Sequence, residues 1–253
     1  MSISFSAPTA YDRFMGRYST LLAPRFLALA GAQAGQRVLD VGCGTGALTG
    51  ELVRRLGAEA VWAVDPSERF VAAVRERYPG VSVQPASAER LPFPDQTFDM
   101  SLAQLVVHFM EDPEAGMGEM ARVTRRGGVV AACVWDFAGG RAPLGPFWEM
   151  AHQLDPAVED ESRLPGVREG HLGELFRTAG LRNIEETSLT VAVEQATFEE
   201  WWEPFTLGAG PVGRYFATLD PEHQTRLRDL CRAALPAPPF VITGVAWAAR
   251  GVA

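Results

Sequence analysis

The chain has 253 residues, 47% of them apolar, and a formal net charge of −8. That length and apolar share suffice for one generous core. The acidic balance disfavours a nucleic-acid partner, because phosphate binding needs a positive field.

Cys43, Cys133 and Cys231 are scattered without a C-x-x-C pair. They read as buried thiols of a reducing compartment, not as metal ligands or a disulfide frame. The N-terminus lacks the charged start and apolar core of a signal peptide, and no run of about eighteen apolar residues suits a membrane span. The cytoplasm is therefore the expected compartment.

Residues 1–9 read as disordered, 10–18 as an aromatic and polar segment, and 20–32 as an apolar helix. Residues 37–41 form an apolar, β-branched run containing Asp40, and Gly42, Gly44 and Gly46 follow at alternate positions. A helix is expected over 46–56. Strand, glycine turn and helix in this order aim free N–H groups at whatever lies against the loop. The dinucleotide fingerprint G-x-G-x-x-G does not fit, because its third glycine would fall on Ala47.

The pattern acid-x-G-x-G-x-G, met by Asp40, Gly42, Gly44 and Gly46, resembles the first motif of the class I S-adenosylmethionine-dependent methyltransferases. Cys43 sits inside it, where a small residue suffices. The resemblance implies that Asp40 and the loop hold the amino-acid end of S-adenosylmethionine. It also implies that an N-terminal helix covers the ligand, with Tyr11 and Arg17 facing it; the plainer alternative is a helix that only packs on the core.

A second strand over 60–65 ends in Asp65, followed by Pro66 and Ser67, with Ser67 a candidate N-cap for the next helix. A carboxylate at this place can accept from both ribose hydroxyls. After a third strand at 81–86, residues 86–99 resemble the family stretch G-D-A-E-x-L-P-F-x-D-x-x-F-D. Ala86 and Ser87 replace its glycine and aspartate. Ser87, Ala88 and Glu89 are accordingly expected at the adenine, with a hydroxyl as a weaker acceptor than a carboxylate.

A buried fourth strand over 98–105 ends near Gln104 and Leu105, expected to bound the methionyl part through backbone groups. His108 follows, a candidate general base by its near-neutral pKa. His152, His171 and His223 show no metal spacing. A helix at 114–123, a turn at 125–128 and a strand at 129–135 complete the cofactor-binding core.

Beyond it come helices at 144–154 and 172–180, a strand at 183–194, a helical insertion to about residue 235 and a last strand at 240–248. Trp148, Trp201, Trp202 and Phe205 fall in these segments, either lining an acceptor pocket or gluing the insertion to the core.

Alternating strands and helices give a doubly wound α/β sheet. The resemblance implies seven strands in Rossmann-like order 3-2-1-4-5-7-6, the last antiparallel. It also implies one methyltransferase domain over 1–253, with a helical cap at 1–35, a core at 36–136 and a lid at 196–239. Without an N-P-P-Y-type motif after strand four, the expected acceptor is a small molecule, with S-adenosylhomocysteine as product. The rival readings are a nicotinamide-dependent oxidoreductase and a non-catalytic cofactor-binding module. Oligomeric state and acceptor atom are left open.

Overall fold

The structure, a computed structural model, describes residues 15–208 and 210–253. Tyr11 and the expected disorder of 1–9 lie outside the described residues.

Helix α1 (Arg17–Ala30) buries Tyr18, Ser19, Leu22, Ala23, Phe26, Leu27 and Ala30, a spacing that keeps one face on the core. It tolerates Pro24 at the loss of one ladder bond and stops at Gly31, whose left-handed backbone returns an N–H to Leu27 O. Strand β1 (Val38–Val41) is buried along its whole length. Helix α2 (Ala47–Leu56), β2 (Val61–Asp65), α3 (Glu68–Arg77) and β3 (Ser82–Pro85) continue the wound pattern. Then come β4 (Phe98–Gln104), α4 (Pro113–Val123) and β5 (Thr124–Trp135).

The C-terminal half supplies α5 (Gly145–Leu154), α6 (His171–Thr178), β6 (Arg182–Gln195), α7 (Phe198–Trp202), α8 (Gly210–Thr218), α9 (Pro221–Ala234) and β7 (Phe240–Val252).

The seven strands lie in order β3-β2-β1-β4-β5-β7-β6. β1 pairs in parallel with β2 and with β4, and β7 runs antiparallel to both β5 and β6. The strand order reverses between β1 and β4, which opens a crevice at their carboxyl ends.

Two boundaries differ from the sequence reading. β5 begins at Thr124 because that residue pairs with Phe98 of β4, and β7 runs to Val252 because it pairs with Val129 and is continued by Gly127 N–H donating to Ala253 O and Ala253 N–H to Gly128 O. Backbone pairing of this kind leaves no apolar pattern to read. Ser67 occupies the N-cap of α3 but makes no side-chain cap bond. By contrast, Asp112, Thr197 and Asp220 each cap a helix through the side chain.

The insertion is held by its own aromatics. Phe147 lies 4.8 Å from Phe205, Trp201 4.8 Å from Phe205, and Trp202 stacks on Phe198 at 5.9 Å. All are buried, and Trp148 donates its indole N–H to buried Glu161 at 2.7 Å. These rings glue the insertion to the core.

Candidate active site

β1, β2 and β4 end side by side, and the loops leaving them enclose a cavity of about 950 Å³. Gly42 N–H and Cys43 N–H both donate to Val64 O, at 2.8 and 2.9 Å, so the glycine loop folds back over β2. Gly42, Gly44 and Gly46 all have positive φ, at 72°, 53° and 92°. Their surroundings give each a separate role. A Cβ on Gly42 would stand 2.5 Å from a Val106 methyl, and one on Gly46 would stand 2.7 Å from the Tyr78 ring. A Cβ on Gly44 would meet nothing within 4 Å among the described residues. Gly44 is thus the place where a ligand can lie against the main chain, while Gly42 and Gly46 serve internal packing.

Gly44→Ala is expected to fold, losing about 1–2 kcal/mol to its left-handed backbone. Gly42→Ala must in addition displace Val106 and is expected to melt lower. Thermal scans of both variants test the distinction, and equal midpoints would remove it.

Two carboxylates stand at the strand ends. Asp40 is 1% exposed and accepts from Thr49 Oγ1 at 2.6 Å. Burial pushes its carboxyl up to about 7, against the pull of the Thr49 bonds, and nearby Asp65 adds to the rise. Asp65 is 6% exposed; Gly44 N–H donates to its Oδ2 at 2.9 Å and Ser67 N–H to its Oδ1 at 2.8 Å. Burial raises its pKa too, offset by those two backbone bonds. Each oxygen therefore ties down one turn and retains a lone pair for a further donor.

Leu105, just past β4, has φ 61°, and its N–H donates to Cys133 O at 2.8 Å. A left-handed leucine is an uncommon, strained conformation that collects at ligand clamps.

Of the sequence-predicted residues, Asp40, Gly42, Cys43 and Gly44 line the cavity together with Asp65, Pro66 and Ser67. Ser87, Glu89, Gln104 and Leu105 complete that set. Glu89 Oε1 also accepts from Glu111 N–H at 2.9 Å, joining the loops after β3 and β4. Burial holds the Cys43 thiol well above its ordinary pKa, which suits an inert residue.

A scan of the sequence against family models matches a methyltransferase domain over residues 39–132. A phosphatidylethanolamine N-methyltransferase of Cereibacter sphaeroides is 35% identical over 150 residues, covering 57% of this chain and 71% of that protein. The chain belongs to the class I S-adenosylmethionine-dependent methyltransferases.

A malonyl-[acyl-carrier protein] O-methyltransferase of Halorhodospira halophila is 30% identical over 235 residues, 85% of this methyltransferase and 75% of that one. Across eight of its curated relatives the match spans from 40% to 76% of their own length. Among solved structures, an N-methyltransferase of Haemonchus contortus, in complex with phosphomonomethylethanolamine and S-adenosylhomocysteine, shares the fold. Its TM-score is 0.58 at 16% identity, covering 97% of this chain and 56% of that one.

Four expected site residues stand elsewhere in this methyltransferase. Gly46 packs on Tyr78, as above. Ala88 is buried behind the cavity wall, not on it, where a Cβ on Gly116 would lie 3.6 Å from its methyl. Arg17 does not face the cavity. Its guanidinium donates to Gln195 Oε1 and Glu194 O, both at 3.1 Å, and pairs with Glu200 at 2.9 Å, clamping α1 to the end of β6 and to α7.

His108 also stands off the lining. Its ring lies 3.8 Å from that of Phe109 and 5.7 Å from that of Phe137, and burial pushes its pKa down to about 3. A base so weakened is poorly matched to proton removal near neutrality.

The sequence reading missed Ser19, Thr45, Ala47 and Leu48 on the lining, and also Glu68, Arg69 and Phe70. It missed Val106, Phe109, Glu111, Asp112 and Ala115 on the far wall. One signal was available there: Asp112-Pro113 is a helix-start signature, and Asp112 caps α4 by accepting from Ala115 N–H at 3.0 Å.

Proposed function

We propose that the chain methylates a small-molecule acceptor, with S-adenosylmethionine seated in the cavity at the ends of β1, β2 and β4. When bound, that cofactor supplies a methyl group already activated on a positive sulfur.

The carrying observation is the pairing of an open Gly44 backbone with a buried Asp65 whose oxygens each keep a lone pair, in a cavity of about 950 Å³. Asp65 holds the ribose, Ser87 and Glu89 line the adenine, and Asp40 with the glycine loop faces the amino-acid end. Glu68, Glu89, Glu111 and Asp112 make the lining acidic, which favours a cationic ligand and repels a nucleic-acid backbone. The enclosing loops and α1 exclude water and align the acceptor, and alignment alone supplies much of a transfer rate.

Calorimetry with S-adenosylmethionine, followed by an acceptor panel read by S-adenosylhomocysteine release, tests the reading. No binding by the cofactor would sink it; binding without turnover across the panel would favour a non-catalytic module.

This scheme needs no contribution from the His108 ring. His108→Phe removes a buried Nδ1 that has no partner among the described residues. It is expected to leave turnover unchanged and the thermal midpoint no lower. A large fall in kcat at saturating cofactor would return the imidazole to the chemistry.

A further inference from the structure

Glu161 is a buried acid away from the cavity lining, in the segment that joins α5 to α6. It is 3% exposed, and its Oε2 accepts from the Trp148 indole N–H at 2.7 Å. The residue before it, Asp160, meets His152 Nε2 at 2.9 Å through Oδ2 and accepts from Ser162 N–H at 2.9 Å through Oδ1. Trp148 and His152 stand about one turn apart on one face of α5. Two consecutive acids of the segment are thus gripped by two successive turns of one helix.

The far end of the segment reaches the core. Ala138 N–H donates to Val167 O at 3.3 Å, and a Cβ on Gly166 would stand 3.5 Å from a Val107 methyl. Val107 opens the 3-10 turn whose Phe109 lines the cavity. The grip on α5 therefore holds in place a segment that backs the cavity wall.

Both halves of the grip answer to protons in the same sense. An imidazole forms an ion pair with a carboxylate only when protonated, so the His152–Asp160 contact weakens as protons leave. A carboxylate in the interior is costly unless it stays neutral or is well paired. Burial accordingly raises the Glu161 pKa from 4.5 to about 7; the Trp148 bond opposes the rise, the Asp160 charge adds to it, and Arg214 on α8 opposes it. Tyr215, also on α8, lies 5.7 Å from the Trp148 ring, and burial and then Asp155 raise its pKa, so it stays uncharged here.

We propose that the 155–170 segment is closed by a pH-operated clasp: protonated Glu161 and His152 hold it on α5, and loss of their protons frees it. The held state binds the Glu161 proton more tightly than the free state, whose carboxyl keeps its ordinary pKa of 4.5. The held-to-free ratio therefore falls by about tenfold per pH unit from about pH 5 to 7 and levels off above. Loss of the His152 charge adds to the fall.

Hydrogen exchange on the full chain, read by mass spectrometry and corrected for the intrinsic rate at each pH, tests the clasp. The reporters are Ser162 N–H, held by Asp160, and Leu164 N–H, which donates to Glu161 O at 3.2 Å. The buried centre of β5 reports global opening. Between pH 5.5 and 7.5, protection of the reporters is expected to fall by at least tenfold relative to β5. Glu161→Gln keeps an oxygen for the Trp148 N–H but cannot ionise, and is expected to lose most of that fall. Adding His152→Gln, which keeps a donor toward Asp160 that does not titrate, is expected to remove the rest.

Protection that is flat with pH in the native protein would overturn the proposal. So would a fall that β5 shares equally, or a full fall in Glu161→Gln. Should Glu161→Gln not fold, the native comparison and His152→Gln alone, expected to show a smaller fall than the native protein, decide.

Discussion

S-Adenosylmethionine affinity is expected to fall about thirtyfold in Asp65→Ala. The figure follows from removing a buried, charged acceptor: hydrogen bonds to charged groups contribute about 1.5–3 kcal/mol, and a net loss of about 2 kcal/mol is roughly thirtyfold in Kd. The structure adds a second route to the same loss. Asp65 Oδ2 and Oδ1 hold the N–H groups of Gly44 and Ser67. Alanine therefore removes a ribose partner and also loosens the glycine loop against the start of α3. The two routes separate by ligand. Loss of the ribose contact weakens adenosine and S-adenosylmethionine alike, whereas a loosened loop adds a further loss for the ligand that reaches Gly44. Calorimetry with both ligands checks this, and unchanged affinity for either would remove the ribose assignment.

What the sequence makes legible is what neighbours in the chain determine. Asp40, the glycine spacing and Asp65 belong to successive strand–turn–helix units, so residue type and local period suffice to place them. The strand order follows from the family resemblance, and the observed sheet has it. Legibility ends where a role depends on a distant partner. Arg17 and Gln195 are 178 positions apart, and nothing near Arg17 announces that its charge is engaged there. The three glycines look equivalent in sequence, yet Tyr78, just past α3, and Val106, after β4, decide that among the described residues Gly44 alone of the three faces open space.

His108 illustrates the same limit at the scale of one turn. It sits in a short 3-10 segment, Val107–Phe109, where one step of rotation separates a ring on the cavity from a ring in the core. Phe109 lines the cavity and His108 does not. In the insertion, apolar aromatics suit either a pocket or a core, and the choice depends on the mutual ring contacts of Phe147, Phe198, Trp202 and Phe205. Composition alone does not encode that choice.

Cofactor binding is expected to release a proton near pH 7 and to weaken as the pH falls below it, through Asp40. In the free protein burial raises this carboxyl from 3.8 to about 7. The protonated form is therefore the one the fold favours. Asp40 contributes most to stability below pH about 4, and that contribution is lost as the pH rises through about 7. A cation in the cavity reverses the preference, because the ionised carboxylate then has an opposite charge to face. Below pH 7 the ligand must displace the proton, and affinity should drop by up to about tenfold per pH unit until the pKa of the complex is reached. Titrations at pH 7 in buffers of different ionisation enthalpy would show about half a proton released per site. Asp40→Asn keeps an oxygen to accept from Thr49 but cannot ionise. It should bind S-adenosylmethionine more weakly above pH 7, release no proton through this group, and melt higher than the native protein at pH 8. A native protein whose affinity is flat from pH 5.5 to 8 would show that Asp40 does not sense the charge of the ligand.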